Sequence, residues 1–418
     1  MKKIALHWQI LIGLVIGILI GYFFPDLTHY LQWMGVIFLR ALKMIIVPLL
    51  LTSIMSGIIN IGNPAGLGKI GLKTMGYYLT SSLLAIVTGL VVVNVVQPGV
   101  GADLGFSQEV AGLEAATADF GQTMLNIVPE NIFQAFSNTD MLSIIFFSFL
   151  AGIFSTRLSE PYAKVVGIAV NAGFELVMKI TNFIILFTPL GVLAIIAGVV
   201  SDNMGEAGAL AGVVKRMGLY MVSVLSALFI HAFIILPLLL RYLGKVNPVK
   251  HGRALSTPLV TAFSTSSSSA TLPLTLEALQ SKAGVSNKIS SFVLPLGATI
   301  NMDGTALYEC VAAIFIAQAY GVELSFLQQM LVVFTALLAS IGAAGIPMAG
   351  LVMITVILSA VGLPLEGVGL IIAVDRVLDM FRTAVNVWSD SCGTAIIATS
   401  EGEHLKTGIQ QAIDKSEI

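Results

Sequence analysis

Charged side chains are scarce in this chain of 418 residues: Asp, Glu, Lys and Arg make up 11% of it, and hydrophobic residues make up 56%. A soluble domain usually carries about 25% charged residues. So little charge cannot cover a water-facing surface, which predicts that lipid is the main solvent of the protein. The net charge of −2 also argues against nucleic acid as a partner.

Cysteine is nearly absent as well. Only Cys310 and Cys392 occur, both inside apolar segments, which argues against a disulfide framework or a Cys-based metal site. The five histidines are scattered and there is no Gly-x-Ser-x-Gly elbow, so an intramembrane serine enzyme is poorly supported. The apolar run up to Phe24 lacks a small-x-small cleavage site and is interpreted as an uncleaved first helix.

Apolar stretches of spanning length recur along the chain and predict an all-α polytopic membrane protein. Eight are predicted transmembrane helices: 8–24, 34–61, 76–97, 127–156, 164–200, 215–243, 288–320 and 363–400. The stretches 127–156 and 164–200 are long enough to be tilted or broken. Two more, 254–281 and 326–360, are each interrupted by small residues and a proline. We interpret these two as re-entrant helical hairpins, which must be buried in protein or face a cavity.

The distribution of basic residues predicts the topology. No Lys or Arg occurs between Lys73 and Arg157, so this acidic interval is expected outside, and the positive-inside rule then places both termini in the cytoplasm. In this topology the hairpin 254–281 would enter and leave on the inner side, and the hairpin 326–360 would open to the outside. Each hairpin proline precedes a polar helical residue by 28 positions, Pro273 before Asn301 and Pro347 before Asp375. Inverted repeats with broken helices are typical of transporters.

The last predicted helix carries a polar face. Asp375, Asp379, Arg382, Asn386 and Asp390 follow steps of four, three, four and four residues. At about 100° per residue they fall within about 80° of arc. An ionisable side chain at the bilayer centre costs about 3 kcal/mol unless it is paired or hydrated. A structural ion-pair ladder is one interpretation. The excess of carboxylates favours a site that handles cations.

The preceding span contains a second polar segment, Asn301-Met302-Asp303-Gly304-Thr305. Asn and Gly together predict an unwound turn whose free carbonyls can bind Na⁺; the alternative is a local kink capped by Asp303. One turn later, Glu309 is a candidate proton carrier, because burial disfavours a charged carboxylate. A glutamate hydrogen-bonded to a neighbour and never titrating is the alternative.

Two other polar segments allow more than one interpretation. The serine run 264–269 could be a flexible linker, but its apolar flanks favour a hairpin tip whose free N–H groups suit a carboxylate. In the third span, Tyr78, Ser81 and Ser82 are best explained from the sequence alone as a small-residue packing contact.

Four blocks, in order and with matching spacing, resemble the glutamate transporter family, also named the dicarboxylate/amino acid:cation symporter family, and its prokaryotic members. They are 267–273 (SSSATLP), 301–305 (NMDGT), 345–350 (GIPMAG) and 379–387 (DMFRTAVNV). The resemblance covers essentially the whole chain. It implies a homotrimer in the cell (inner) membrane with an elevator mechanism.

The resemblance also implies a division into domains. Residues 1–75 and 98–214, with the first, second, fourth and fifth spans and the external loop, would form a trimerising scaffold. Residues 76–97 and 215–418 would form the moving transport domain, with both hairpins, the remaining spans and a cytoplasmic tail. The second hairpin would be the external gate.

Site residues are implied in the same way. Arg382 would pair with the side-chain carboxylate of the substrate and Asp379 with its ammonium. The implied substrate set is Ser267, Ser268, Thr305, Ile346, Gly350, Asp379, Arg382, Thr383 and Asn386. The implied Na⁺ set is Tyr78, Ser81, Ser82, Gly297, Thr299, Asn301, Met302, Asp303, Ser340, Ile341, Asn386 and Asp390. Glu309 resembles the proton-carrying acid of proton-coupled members.

The arginine and the aspartate together narrow the substrate. A guanidinium offers two parallel hydrogen bonds to a carboxylate, and Asp379 requires a cationic partner. We therefore expect a symporter for L-glutamate or L-aspartate coupled to Na⁺ and H⁺, with no cofactor other than the coupling ion and no enzyme activity. The alternatives are a proton-only glutamate symporter, a C4-dicarboxylate symporter and a channel.

Overall fold

The computed structural model describes residues 6–61, 68–101, 125, 127–138, 140–202, 209–342 and 349–409. The regular elements in these ranges are helices, and the one β-bridge joins Val246 to Gly408. The α-helices are α1 Leu6–Phe23, α2 Pro25–Ile61, α3 Gly68–Val96, α4 Ile132–Asn138, α5 Met141–Ser155, α6 Glu160–Ile185, α7 Thr188–Asp202, α8 Ala209–Ile230, α9 Leu236–Tyr242, α10 Pro248–Ala254, α11 Ser256–Thr265, α12 Ser268–Ala278, α13 Asn287–Ile300, α14 Asp303–Ala319, α15 Phe326–Gly342, α16 Ala349–Ala360 and α17 Val368–Ser400. The predicted all-α class is confirmed.

Five helical segments in the described part are long and apolar enough to cross a membrane: 25–59, 68–96, 160–185, 214–242 and 287–319. The helices α1, α5, α7 and α15 contain shorter apolar segments. The protein is therefore a membrane protein with several apolar helices. Helix α17 has 33 residues, which is long enough to cross a bilayer. Its charged side chains make it less apolar than the five segments above.

Some helix boundaries differ from those predicted. The stretch 164–200 is two helices, α6 and α7, separated at Leu186 and Phe187. Pro189 in the first turn of α7 has no N–H to bond the preceding helix, which explains the break. Helix α2 begins nine residues before the predicted 34, at Pro25. Proline at a first helical position and Asp26 beside the positive end of the helix dipole both favour this start.

The helices α1, α2, α5, α6 and α7 pack against one another. Helices α1 and α7 approach closely, because Gly13, Gly17 and Gly21 lie against the backbone of α7. A Cβ atom at Gly17 would lie 2.7 Å from the carbonyl oxygen of Leu193. Small residues at every fourth position allow two membrane helices to approach this closely.

Helix α14 is the centre of a second group. The side chains from Asn301 to Ala317 are all buried. This helix contacts α3, α8, α15, α16 and α17, and α17 in turn contacts α11 and α13. The polar residues of α14 and α17 therefore lie between helices rather than on an outer face.

The two predicted hairpins correspond to helix pairs. Helices α11 and α12 pack together and are joined at Ser266, whose backbone is left-handed (φ 50°, ψ 40°). Ser267 caps α12, its Oγ accepting from the N–H of Ala270 at 3.2 Å. Helices α15 and α16 also pack together, and the tip between them, 343–348, lies outside the described residues. The serine run is thus a helix–helix junction and not a linker.

We expect Gly17→Ala to lower the thermal unfolding temperature of the purified protein in detergent. The added methyl group would overlap the Leu193 carbonyl, and such overpacking costs about 1–3 kcal/mol. Gly198→Ala on α7 is the matched control, because a Cβ there meets nothing within 4 Å. Alanine is the better helix former by about 1 kcal/mol, so the control should be neutral or stabilising. Equal unfolding temperatures for the two variants would contradict the close α1–α7 packing.

Candidate functional site

The polar face of α17 is buried. Asp375, Asp379, Arg382, Asn386 and Asp390 are each at most 5% exposed. The structure thus buries the face that the residue spacing predicts. Thr383, beside Arg382, is buried as well. Each ionisable group of this face needs a partner from the protein or from a ligand, because an isolated buried charge is strongly unfavourable.

Arg382 lies at the centre of the buried charges. Its Nη1 is 3.1 Å from Oδ1 of Asp375, and its Nη2 donates to Oδ1 of Asp379 at 2.8 Å. Its Cζ lies 3.8 Å from the centroid of the Tyr308 ring, a cation–π distance. Arg376 approaches the other oxygen of Asp379 at 3.4 Å. The ion-pair ladder is therefore present, and it brings a guanidinium and a carboxylate to one place.

Asp303 is the centre of a second buried cluster. Its Oδ1 accepts from the hydroxyl of Ser82 at 2.7 Å and lies 3.3 Å from the hydroxyl oxygen of Ser81. Its Oδ2 accepts from Ser389 at 2.6 Å and lies 3.0 Å from Nε2 of His231. Ser81 and Ser82 therefore do more than allow α3 to pack on α14, since both hydroxyls lie against this carboxylate.

The predicted unwound turn lies at Asn301 and Met302, between α13 and α14. Their backbones leave the helical region, with ψ of 85° and 57°. The Asn301 amide nitrogen donates to Oδ1 of Asp390 at 2.9 Å and to Ser389 at 3.0 Å, and its oxygen accepts from Ser81 at 3.1 Å. Asn301 thus joins the α13–α14 junction to α3 and α17 through a single side chain.

The sequence predicts that Gly304 is part of the unwound turn. In the structure it is helical, inside α14. It is small for another reason: a Cβ there would lie 2.5 Å from the carbonyl oxygen of Arg382. Asn386 secures the same contact between α14 and α17. Its Oδ1 accepts from the N–H of Gly304 at 2.8 Å, and its Nδ2 donates to the Thr305 hydroxyl at 3.1 Å.

The predicted substrate residues of the hairpins are placed as follows. Ser267 and Ser268 lie at the start of α12, and Ser268 is buried. Gly350 lies beside Arg382, because a Cβ there would be 2.8 Å from Nη1 of the guanidinium. Ile346 lies outside the described residues.

The predicted cation residues fall into two groups. Around Asp303 and Asp390, the structure brings together Ser81, Ser82, Asn301 and Gly297. A Cβ atom added at Gly297 would lie 2.5 Å from an Asp390 oxygen and 2.6 Å from the Tyr78 hydroxyl. The Tyr78 hydroxyl itself donates to the Val293 carbonyl at 2.7 Å. The other predicted cation residues lie on two contacting helices and between helices: Thr299 on α13, Met302 just after it, and Ser340 and Ile341 on α15.

Glu309 is fully buried on α14. Neither of its carboxylate oxygens has a hydrogen-bond partner among the residues that the structure describes. The alternative of a glutamate held by a neighbouring donor is therefore not seen in that part of the chain. A carboxyl group in such surroundings is more stable protonated than ionised.

The sequence did not identify every member of the site. His231, Tyr308 and Ser389 belong to the site, but no spacing pattern in the sequence indicates them. The adjacency of Ser389 to Asp390 and of Tyr308 to Glu309 was the only available signal. Their contacts join helices far apart in the chain, so no local spacing could reveal them.

The chemistry of the donor set fits a hard monovalent cation. The candidate ligands around Asp303 and Asp390 are carboxylate, hydroxyl, amide and carbonyl oxygens, the atoms that hard cations prefer. Within the described residues, no three His, Cys, Asp or Glu side chains form a transition-metal cluster. The second feature, a buried guanidinium beside a carboxylate, fits a ligand that carries charges of both signs.

Comparison with known proteins identifies the family of this chain. Residues 6–400 match the sodium:dicarboxylate symporter family. The chain is similar to the proton/sodium-glutamate symport proteins of Bacillus caldotenax (36% identity) and Geobacillus stearothermophilus (35%), with 97% of this chain and 96% of each relative aligned. It is also 36% identical to human excitatory amino acid transporter 3 over 88% of this chain and 79% of that protein. The chain belongs to the sodium:dicarboxylate symporter family.

Proposed function

We propose that this protein is a secondary active symporter that takes up L-glutamate or L-aspartate together with Na⁺ and H⁺. The observation that carries the proposal is the buried contact of Arg382 with Asp379, 2.8 Å apart. The names of the relatives, proton/sodium-glutamate symport protein and excitatory amino acid transporter, support the same substrate class. A transporter, and not an enzyme, accounts for the site.

The arrangement of charges favours an acidic amino acid. A guanidinium binds a carboxylate through two parallel N–H···O bonds, and a carboxylate binds an ammonium. A substrate with both groups can take the place of the Arg382–Asp379 contact by giving each residue an opposite charge. Asp375 keeps its own contact with Arg382 at 3.1 Å, so the guanidinium stays oriented.

Sodium would be held by the oxygen atoms around Asp303 and Asp390. Ser81, Ser82 and Asn301 supply hydroxyl and amide oxygens to that volume. The buried carboxylates outnumber the buried arginine, so cations improve the balance of charge inside the protein. Binding of Na⁺ and of substrate is thereby coupled through one helix, since Asp390 and Arg382 both belong to α17.

We assign the proton to Glu309, a buried acid that has neither a hydrogen bond nor an ion pair among the described residues. It lies one residue after Tyr308, whose ring packs against Arg382. Protonation of Glu309 removes a negative charge next to the substrate arginine. The charge state of this residue can therefore change with each transport cycle.

The architecture belongs to the same proposal. Eight membrane spans and two re-entrant hairpins would form a homotrimer in the inner membrane, with both termini cytoplasmic. Residues 1–75 and 98–214 would be the scaffold, and 76–97 and 215–418 the transport domain. The packing of α1, α2, α5, α6 and α7 as one group supports that division, as does the central place of α14 in the other. The transport domain would move as an elevator.

Uptake into proteoliposomes tests the function. We expect an inward Na⁺ gradient to drive accumulation of labelled L-glutamate or L-aspartate, and an inside-alkaline pH gradient to increase it. Unlabelled succinate should compete weakly, because it has no ammonium for Asp379. Uptake that needs a pH gradient but not Na⁺ would indicate a proton-only glutamate symporter. Preference for succinate would indicate a C4-dicarboxylate symporter, and unitary currents without solute flux would indicate a channel.

Arg382→Cys should strongly weaken the binding of acidic substrates. Losing one partner of a buried charge pair costs about 2–5 kcal/mol, which corresponds to at least a ~30-fold weaker affinity. Size-exclusion chromatography would establish that the variant is folded. Arg241→Cys, at an exposed position on α9, is the control and should bind as the wild type does. Unchanged glutamate uptake by Arg382→Cys would rule out its role.

Glu309→Gln should remove the response of uptake to a pH gradient while leaving its dependence on Na⁺. Glutamine has the shape of the protonated acid but cannot release a proton. Glu277→Gln makes the same chemical change at an exposed position of α12 and should leave the pH response intact. Persistence of the pH response in Glu309→Gln would assign the proton to another group.

A further inference from the structure

His231 lies where an apolar helix changes its geometry. Helix α8 ends at Ile230 and continues to α9 through one π-helical turn, His231–Ile235. The N–H of Leu236 bonds the carbonyl of His231, five residues back. The next residue, Pro237, has no N–H and cannot bond the Ala232 carbonyl. Single π turns of this kind are frequent at functional sites.

The free carbonyl that results is used by another helix. Nε1 of Trp388 on α17 donates to the oxygen of Ala232 at 3.0 Å. The π turn is therefore fastened to α17 one residue before Ser389, which itself donates to Asp303. Because His231 and Ala232 are neighbours, this bond also fixes the position of the imidazole relative to Asp303.

The histidine donates to the aspartate. An ionised Asp303 carboxylate only accepts hydrogen bonds, so the proton in the 3.0 Å contact belongs to Nε2 of His231. The other ring nitrogen, Nδ1, is buried and has no hydrogen-bond partner among the described residues. Nε2 is therefore the ring nitrogen that joins His231 to Asp303.

The two oxygens of Asp303 have different kinds of donor. Oδ1 faces the hydroxyls of Ser81 and Ser82, which can rotate and present lone pairs to a cation. Oδ2 faces Ser389 and the imidazole, whose N–H direction is set by the ring. The ring can hold the carboxylate still while the serines change their hydrogen bonding.

We propose that His231 is a positioning residue for cation binding: its Nε2–H orients Asp303 so that Oδ1 remains directed at Ser81 and Ser82. The inference rests on the proposed sodium coupling and adds to it a residue that does not touch the ion. Side chains that orient metal ligands contribute about 10- to 100-fold to metal affinity.

The test is the Na⁺ dependence of thermal unfolding, measured on the purified full-length protein in detergent. NaCl replaces choline chloride at constant ionic strength, without substrate, and the midpoint of the rise in unfolding temperature reports Na⁺ affinity. We expect His231→Asn to raise that midpoint at least about 10-fold. His231→Gln should be closer to the wild type, because its amide nitrogen can occupy the position of Nε2.

His251→Gln is the matched control. His251 is also fully buried, and its ring packs 5.6 Å from the same Trp388, but in the described structure no hydrogen bond joins it to a carboxylate. Its Na⁺ midpoint should not change, whatever happens to its unfolding temperature in choline. Trp388→Phe, which removes the indole N–H, should raise the midpoint and serves if His231→Asn does not fold.

The outcomes separate this inference from the proposed function. A wild-type response to Na⁺ with unchanged midpoints in His231→Asn and Trp388→Phe would overturn the role of His231 alone. Equal midpoint shifts in His231→Asn and His251→Gln would also overturn it, since burial and packing would then explain the effect. A wild type that does not respond to Na⁺ would contradict sodium coupling itself, and the role of His231 with it.

Discussion

The burial of Arg382 between two carboxylates is the constraint on which the rest of the site depends. A guanidinium in apolar surroundings is tolerated only if opposite charge and hydrogen bonds surround it, and removing one partner of such a pair costs about 3–5 kcal/mol. Asp375 and Asp379 supply that charge, and the Tyr308 ring covers one face of the guanidinium. The same requirement makes the site selective, because a ligand that displaces Asp379 must itself bring a carboxylate.

The helices are built so that these groups can meet. Gly304 lets α14 approach the backbone of α17, and Gly350 leaves room for the guanidinium at the start of α16. The break at Asn301 frees a side chain that binds two helices, α3 and α17. Substrate charges near Arg382 and cation ligands near Asp303 thus share α14 and α17, which is the physical basis for coupling their occupancy.

The positions of polar residues along each helix could be predicted from the sequence, but contacts between helices that are distant in the chain could not. The polar face of α17 follows from a spacing of three and four residues within one helix. The Asp303–His231 contact joins residues 72 positions apart, and a π turn aligns them, so no periodicity reveals it. For Gly304 the sequence predicted a helix break, whereas the actual reason for its size is close packing against another helix.

A structure with bound substrate tests the central claim most directly. Electron cryomicroscopy of the protein in Na⁺ and L-aspartate should place a substrate carboxylate about 3 Å from the Arg382 guanidinium. The substrate ammonium should lie next to Asp379, with the contact between Arg382 and Asp379 replaced and that between Arg382 and Asp375 kept. Substrate density away from α17, with Arg382 still bound to Asp379, would contradict the account.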